Sequence, residues 1–143
     1  MNKLLGLVIC SLFVQTAYAL TCPTIEAIRQ NNIAGWKAFD SEEGTPLPPN
    51  RFNKFRNNVK QFAVAEWNEK KGIVHCFYRT EDGSNLNAYL SKGTFMPSNN
   101  QHLWYPVSGS LQCAASTDKC QFRTNQLNTP SQFAEKEQPT RVQ

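Results

Sequence analysis

Apolar and polar positions alternate with a period of two in three successive runs of the chain. In "QFAVAEWN" (61–68), Phe62 and Val64 fall on one side and Ala63, Ala65 and Trp67 on the other. After "NEKKG", the run "GIVHCFYRT" (72–80) sets Ile73, His75, Phe77 and Arg79 against Val74, Cys76 and Tyr78. After "EDGSN", a third run (86–91) aligns Leu86, Ala88 and Leu90. A period of two is the mark of a strand, and the polar, Gly-containing breaks are hairpin turns. The pattern therefore predicts a three-stranded antiparallel meander. Its middle run is apolar on both sides, as expected for a central strand covered on both faces.

The flanking pattern is weaker. "CPTIEAIRQN" (22–31) predicts a short helix, with Pro23 suited to the first turn, Glu26 to its positive end and Asn31-Asn32 as a stop. Ile25 and Ile28 form its one apolar stripe, too little to hold an isolated helix, so it must dock. "IAGWKAF" (33–39) predicts a short strand, and the Pro-rich "DSEEGTPLPPN" an exposed loop. Over 51–59, Phe52, Phe55 and Val59 recur at helical spacing behind Asn50 as a cap. Residues 94–109 predict a loop or short strand laying Leu103-Trp104-Tyr105 over the sheet, and "GSLQCAASTDKCQFRT" a last hairpin. Residues 127–143 carry no apolar stripe and are expected to be a disordered tail. The sum is an α+β domain: a short N-terminal helix packed on an antiparallel sheet of about five strands.

The N-terminus changes the picture of where this domain works. Lys3 precedes the apolar run Leu4–Val14, which is short of the roughly 20 residues a spanning helix needs. Ala17-Tyr18-Ala19 follows as a small-x-small cleavage pattern, so residues 1–19 read as a signal peptide cut between Ala19 and Leu20. Thr21 directly before Cys22 argues against a lipid anchor there. The expected mature chain is one domain, 20–126, followed by the tail, in the periplasm or secreted, with no stable membrane insertion after cleavage.

Four cysteines remain after such a cut: Cys22, Cys76, Cys113 and Cys120. An even count in an exported chain reads as two disulfides, and three pairings are open. A local hairpin would join Cys113 to Cys120, leaving Cys22 for Cys76. By loop-closure entropy the long loop is worth about 4 kcal/mol and the short one about 2.5 kcal/mol.

Charge and composition add exclusions. The chain has 15 Lys and Arg against 11 Asp and Glu, and losing Lys3 leaves a net charge of +3, too mild to require nucleic acid or an anionic membrane. "RFNKFRNNVK" interleaves Arg51, Lys54, Arg56 and Lys60 with Phe52 and Phe55, but reads as an amphipathic turn rather than a base-stacking platform. His75 lies mid-strand and His102 in a loop, and no His/Asp/Glu spacing suits a metal. A Cys76–His nucleophile pair needs a free thiol, which disulfides deny. The carboxylate pairs Glu42-Glu43 and Glu81-Asp82 sit in turns rather than across a cleft. Ser91, Ser108 and Ser110 lack the strand–turn–helix setting of a hydrolase nucleophile. The reading is a chain without catalytic residues, metal or cofactor. Trp104 and Tyr105, in an irregular Pro-flanked segment, are the candidate partner-binding residues.

The order of elements carries a resemblance. "CP" before an Ile-bearing helix, then "AGWKAF", then "FAVAEW", "IVHCFY" and "NLNAYL" separated by turns, together resemble the EirA-like small exported proteins of intracellular Gram-negative bacteria, within a wider domain family of unknown function. The resemblance covers roughly residues 22–91. It implies a periplasmic or secreted α+β domain without known enzyme activity, tied to type IV secretion and growth inside host cells. It offers no catalytic residues and carries over Cys22, Cys76, Trp67 and Tyr78 as framework. The expected function is a non-enzymatic, exported protein that binds an envelope or host protein. One alternative is a lysozyme inhibitor, since "YLSKGTF" faintly resembles such sequences but lacks their Ser-Gly-x-x-Tyr element. A small hydrolase is the other.

Overall fold

The computed structural model describes residues 20–98 and 101–125; the expected signal peptide (1–19) and tail (127–143) lie outside them. In chain order the elements are α1 (Ile25–Arg29), β1 (Lys37–Asp40), α2 (Pro49–Asn58), β2 (Gln61–Asn68), β3 (Ile73–Arg79), β4 (Asn85–Gly93) and β5 (Phe95–Pro97). A 3-10 turn (Gln101–Leu103), β6 (Tyr105–Val107), β7 (Ser110–Cys113) and β8 (Phe122–Thr124) follow. The architecture is α+β and mostly β. A six-stranded antiparallel sheet has the order β1-β4-β3-β2-β7-β6, and β5 and β8 form a second, two-stranded sheet.

The meander is present as β2, β3 and β4, with β3 inside the sheet. Its faces differ from the expectation in two ways. A bulge between Phe62 and Val64 shifts the register, so Phe62 pairs with Tyr78 and joins the face of Ala65 and Trp67 rather than that of Val64. Only one face of β3 is sealed: Val74, Cys76 and Tyr78 are buried, whereas Ile73, His75 and Phe77 are half-exposed.

The expected last hairpin does not form. β7 pairs with β2 and β6, while β8 pairs with β5 and is extended by a bridge from Leu20 to Phe122. Cys113 and Cys120 are nevertheless bonded, across a turn that carries the chain from the large sheet to the small one. The second disulfide joins Cys22 to Cys76.

Both helices lie on the sealed face. α1 is shorter than its sequence pattern, because Thr24 rather than Pro23 opens it; the Thr24 hydroxyl accepts the Ala27 N–H at 3.2 Å. α2 starts at Pro49 behind Pro48, so Asn50 lies inside the helix and does not cap it. Ile28, Phe55 and Val59 from the helices pack with Ala65, Val74, Tyr78 and Leu90 of the sheet in one core. The Tyr78 ring meets Phe55 and Phe62 edge-on, and its buried hydroxyl donates to the Pro23 carbonyl at 2.7 Å. Burial holds the Tyr78 phenol protonated by pushing its pKa up. The Arg56 guanidinium of α2 donates to the Ile28 carbonyl at 3.0 Å and to that of Arg29, and Arg29 donates to Val59 O at 3.1 Å. The exposed carbonyl end of α1 is thus closed by the neighbouring helix.

Candidate functional site

The loop after β1 folds back along the edge of that strand. Leu47 N–H donates to Ala38 O at 2.9 Å and Asp40 N–H to Thr45 O at 2.8 Å. Asp40 fixes the turn. Its carboxylate, 5% exposed, accepts the Glu42 and Glu43 N–H groups at 2.8 and 2.9 Å and pairs with Arg51 of α2 at 2.5 Å. The backbone N–H groups of Glu43 and Glu42, then Arg51, hold its pKa below the usual carboxylate value. One buried acid therefore places both the loop and the first turn of α2.

This placement leaves a groove of about 520 Å³ between the loop, α2 and the segment before β1. Ile33, Trp36, Ala38, Pro46, Leu47 and Phe52 supply its apolar lining. Gly35 sits at φ +82°, a left-handed conformation that favours glycine, and the end of the flexible Lys92 side chain lies beside it. Cations surround the groove. Lys37 lines it, Lys92 Nζ lies 5.8 Å from the Trp36 ring centre, and Arg56 Cζ lies 5.9 Å from that of Phe52. No carboxylate is among its lining residues.

A second surface is the half-buried face of the six-stranded sheet, opposite the buried side chains of β3. Its residues align in cross-strand rows. One row is apolar: Val64, Phe77, Tyr89 and Phe39 run across β2, β3, β4 and β1. Ring centres are 5.4 Å apart for Phe77–Tyr89 and 5.7 Å for Phe39–Tyr89. The adjacent row is polar and crosses all six strands as Tyr105, Gln112, Glu66, His75, Ser91 and Lys37. Gln112 Nε2 donates to Glu66 Oε2 at 2.8 Å, and His75 Nδ1 lies 4.0 Å from Glu66 Oε1. Burial lowers the His75 pKa, the Glu66 charge opposes this, and Lys71 adds to it.

The residues singled out from sequence are spread apart. Trp104 is 6% exposed and belongs to the core, so its ring is not offered to a partner, whereas Tyr105 is 44% exposed at the β6 edge of the open face. His75 is on that face and His102 is in the 3-10 turn. Glu42, Glu43, Glu81 and Asp82 all occupy turns. Asp82 is held at a pKa of about 2 by the Thr80 hydroxyl and the Ser84 N–H. Among the described residues, no three His, Cys, Asp or Glu side chains gather as metal ligands. The groove itself escapes a linear reading, since it is assembled from three segments. Its one sequence signal is Leu47, an isolated apolar residue among prolines.

Comparison with protein-family models, with curated proteins and with solved structures yields no match to this chain.

Proposed function

We propose that the protein is an exported, non-enzymatic binding module that engages a segment of an envelope or host protein, in support of type IV secretion or intracellular infection. The observation that carries this is the groove: about 520 Å³, apolar in its lining, edged by Lys37 and free of carboxylates among its lining residues. Such a site fits an apolar side chain followed by an acidic one, because the aromatic floor takes the first and the rim cation the second. Two disulfides support an oxidising compartment, and no helix among the described residues is long and apolar enough to cross a membrane. The resemblance of residues 22–91 to exported proteins of intracellular bacteria supplies the setting.

Crosslinking in intact cells, followed by pull-down, tests the reading. Wild type, Phe52→Glu and Ala34→Arg are compared, the last because Ala34 is an exposed lining residue whose replacement leaves the core alone. The expected result is one enriched envelope or host protein whose capture falls at least about tenfold in both variants while thermal unfolding of Ala34→Arg is unchanged. Equal capture by all three, or capture of abundant proteins only, overturns it.

A further inference from the structure

We infer, resting on the groove's reading as a site for an apolar side chain followed by an acidic one, that the chain's own segment Phe133–Glu137 docks there and must be displaced by a partner. The segment reads "FAEKE". In an extended chain alternate side chains share a face, so Phe133, Glu135 and Glu137 point one way and Ala134 and Lys136 the other. The first face is a ring followed by two carboxylates at successive steps of about 7 Å. Phe133 is also the one aromatic residue in the sequence from 126 to 143. The groove is the complement of that face. Trp36, Leu47 and Phe52 line it, Lys37 edges it, Lys92 Nζ lies 5.8 Å from the Trp36 ring centre, and no carboxylate is among its lining residues. Lys136, on the opposite face, stays in water.

The backbone beside the groove suits an extended occupant. β1 is the edge strand of the large sheet. The loop covers its far half, where Thr45 accepts from Asp40 and Leu47 donates to Ala38. Pro49 then turns the chain into α2, so no strand runs beside Trp36 and Lys37. A short strand laid there continues the edge that the loop begins.

The reach is sufficient. β8 passes beside the groove, with the Phe122 ring meeting Trp36 edge-on at 6.0 Å. Asn125, the last described residue, donates its N–H to Thr94 O at 2.9 Å. Thr94 lies three residues beyond Ser91, which pairs with Lys37. Three strand residues and one strand spacing put Asn125 within about 16 Å of Lys37. The eight residues from Asn125 to Phe133 span up to about 26 Å.

A tether this short holds the segment at an effective concentration of about 1 mM. One ring and two exposed carboxylates make a weak ligand; at a Kd of about 0.1 mM the tethered segment fills about nine-tenths of the groove and weakens a competitor about tenfold. Nuclear magnetic resonance on the nitrogen-15-labelled, disulfide-intact full chain at about 50 µM tests this, with an unlabelled peptide of residues 129–139 as the probe. In Phe133→Ala/Glu135→Lys the backbone amide signals of Ala34, Lys37 and Ala38 should move from their wild-type positions. Added peptide should return them, and wild type should need about tenfold more peptide to respond. Adding Ala34→Arg to the double variant should abolish the response. Identical signals in wild type and the double variant, or equal response of both to peptide, overturns the docking. Wild-type signals that move towards those of the double variant on dilution place a second copy's segment in the groove and overturn it too. The two readings fail separately: partner capture in intact cells reports on the groove, and these signals report on the segment. Where both hold, the double variant captures more partner than wild type.

Discussion

Asp40 and Tyr78 are two buried residues whose polar atoms bind distant segments together. The lowered pKa of Asp40 has a definite sign for stability. The folded chain prefers the carboxylate, so the contribution is complete above the ordinary value of 3.8 and is lost as pH falls through the lower folded value. Asp40→Asn should therefore lower the urea midpoint at pH 7, with a gap from wild type that narrows as both are taken towards pH 3. A gap independent of pH would mean that the charge is irrelevant. Tyr78→Phe leaves the buried Pro23 carbonyl without its donor and should cost about 1–3 kcal/mol in urea unfolding, with the ring packing kept. Neither role is legible from sequence. Asp40 stands beside Glu42 and Glu43 in a turn rich in acids, and its burial, its bonds to their N–H groups and its contact with Arg51 separate it from them.

Elements were legible where the pattern is local, and ambiguous where a choice of partner is made at long range. The meander is written in "QFAVAEWN", "GIVHCFYRT" and "NLNAYL", since alternation and turns leave no competing arrangement. The bulge at Phe62/Val64 leaves no mark on composition and moves Phe62 across the sheet. The segment 110–124 reads as a hairpin because Cys113 and Cys120 are seven residues apart. That spacing also suits a turn between two sheets, and the pairings Ala65–Cys113 and Phe95–Thr124 decide for the latter. α1 depends on the staple: five residues of helix cannot persist without Cys22–Cys76 and the Arg56 contacts. Replacing both Cys22 and Cys76 by Ala should cost about 4 kcal/mol, and the Cys113/Cys120 pair about 2.5 kcal/mol, in urea unfolding. Equal costs would contradict loop length as the controlling quantity.

For the molecule as a whole, one sealed face and one open face replace the two covered faces that the middle strand suggests. The apolar residues of β3 on both sides misled because Ile73 and Phe77 are apolar yet only half-buried, on the face where the rings of Phe77, Tyr89 and Phe39 pack against one another along the sheet. Adjacent residues of β3 should report the asymmetry. Val74→Ala removes a fully buried side chain and should destabilise by about 1–3 kcal/mol, whereas Ile73→Ala, half-exposed, should cost less than half as much in dilute solution. The groove lies at the β1 edge, where loop and helix meet the strand and where Lys37 and Phe39 of the open-face rows also line it. Its use by a partner is the central claim, and a photoreactive amino acid placed at residue 34 tests it most directly. Irradiated in intact cells, position 34 should give one discrete adduct with an envelope or host protein, while the same group at residue 81, in the β3–β4 turn, should give none. No adduct at 34, or the same adducts from both positions, would contradict it.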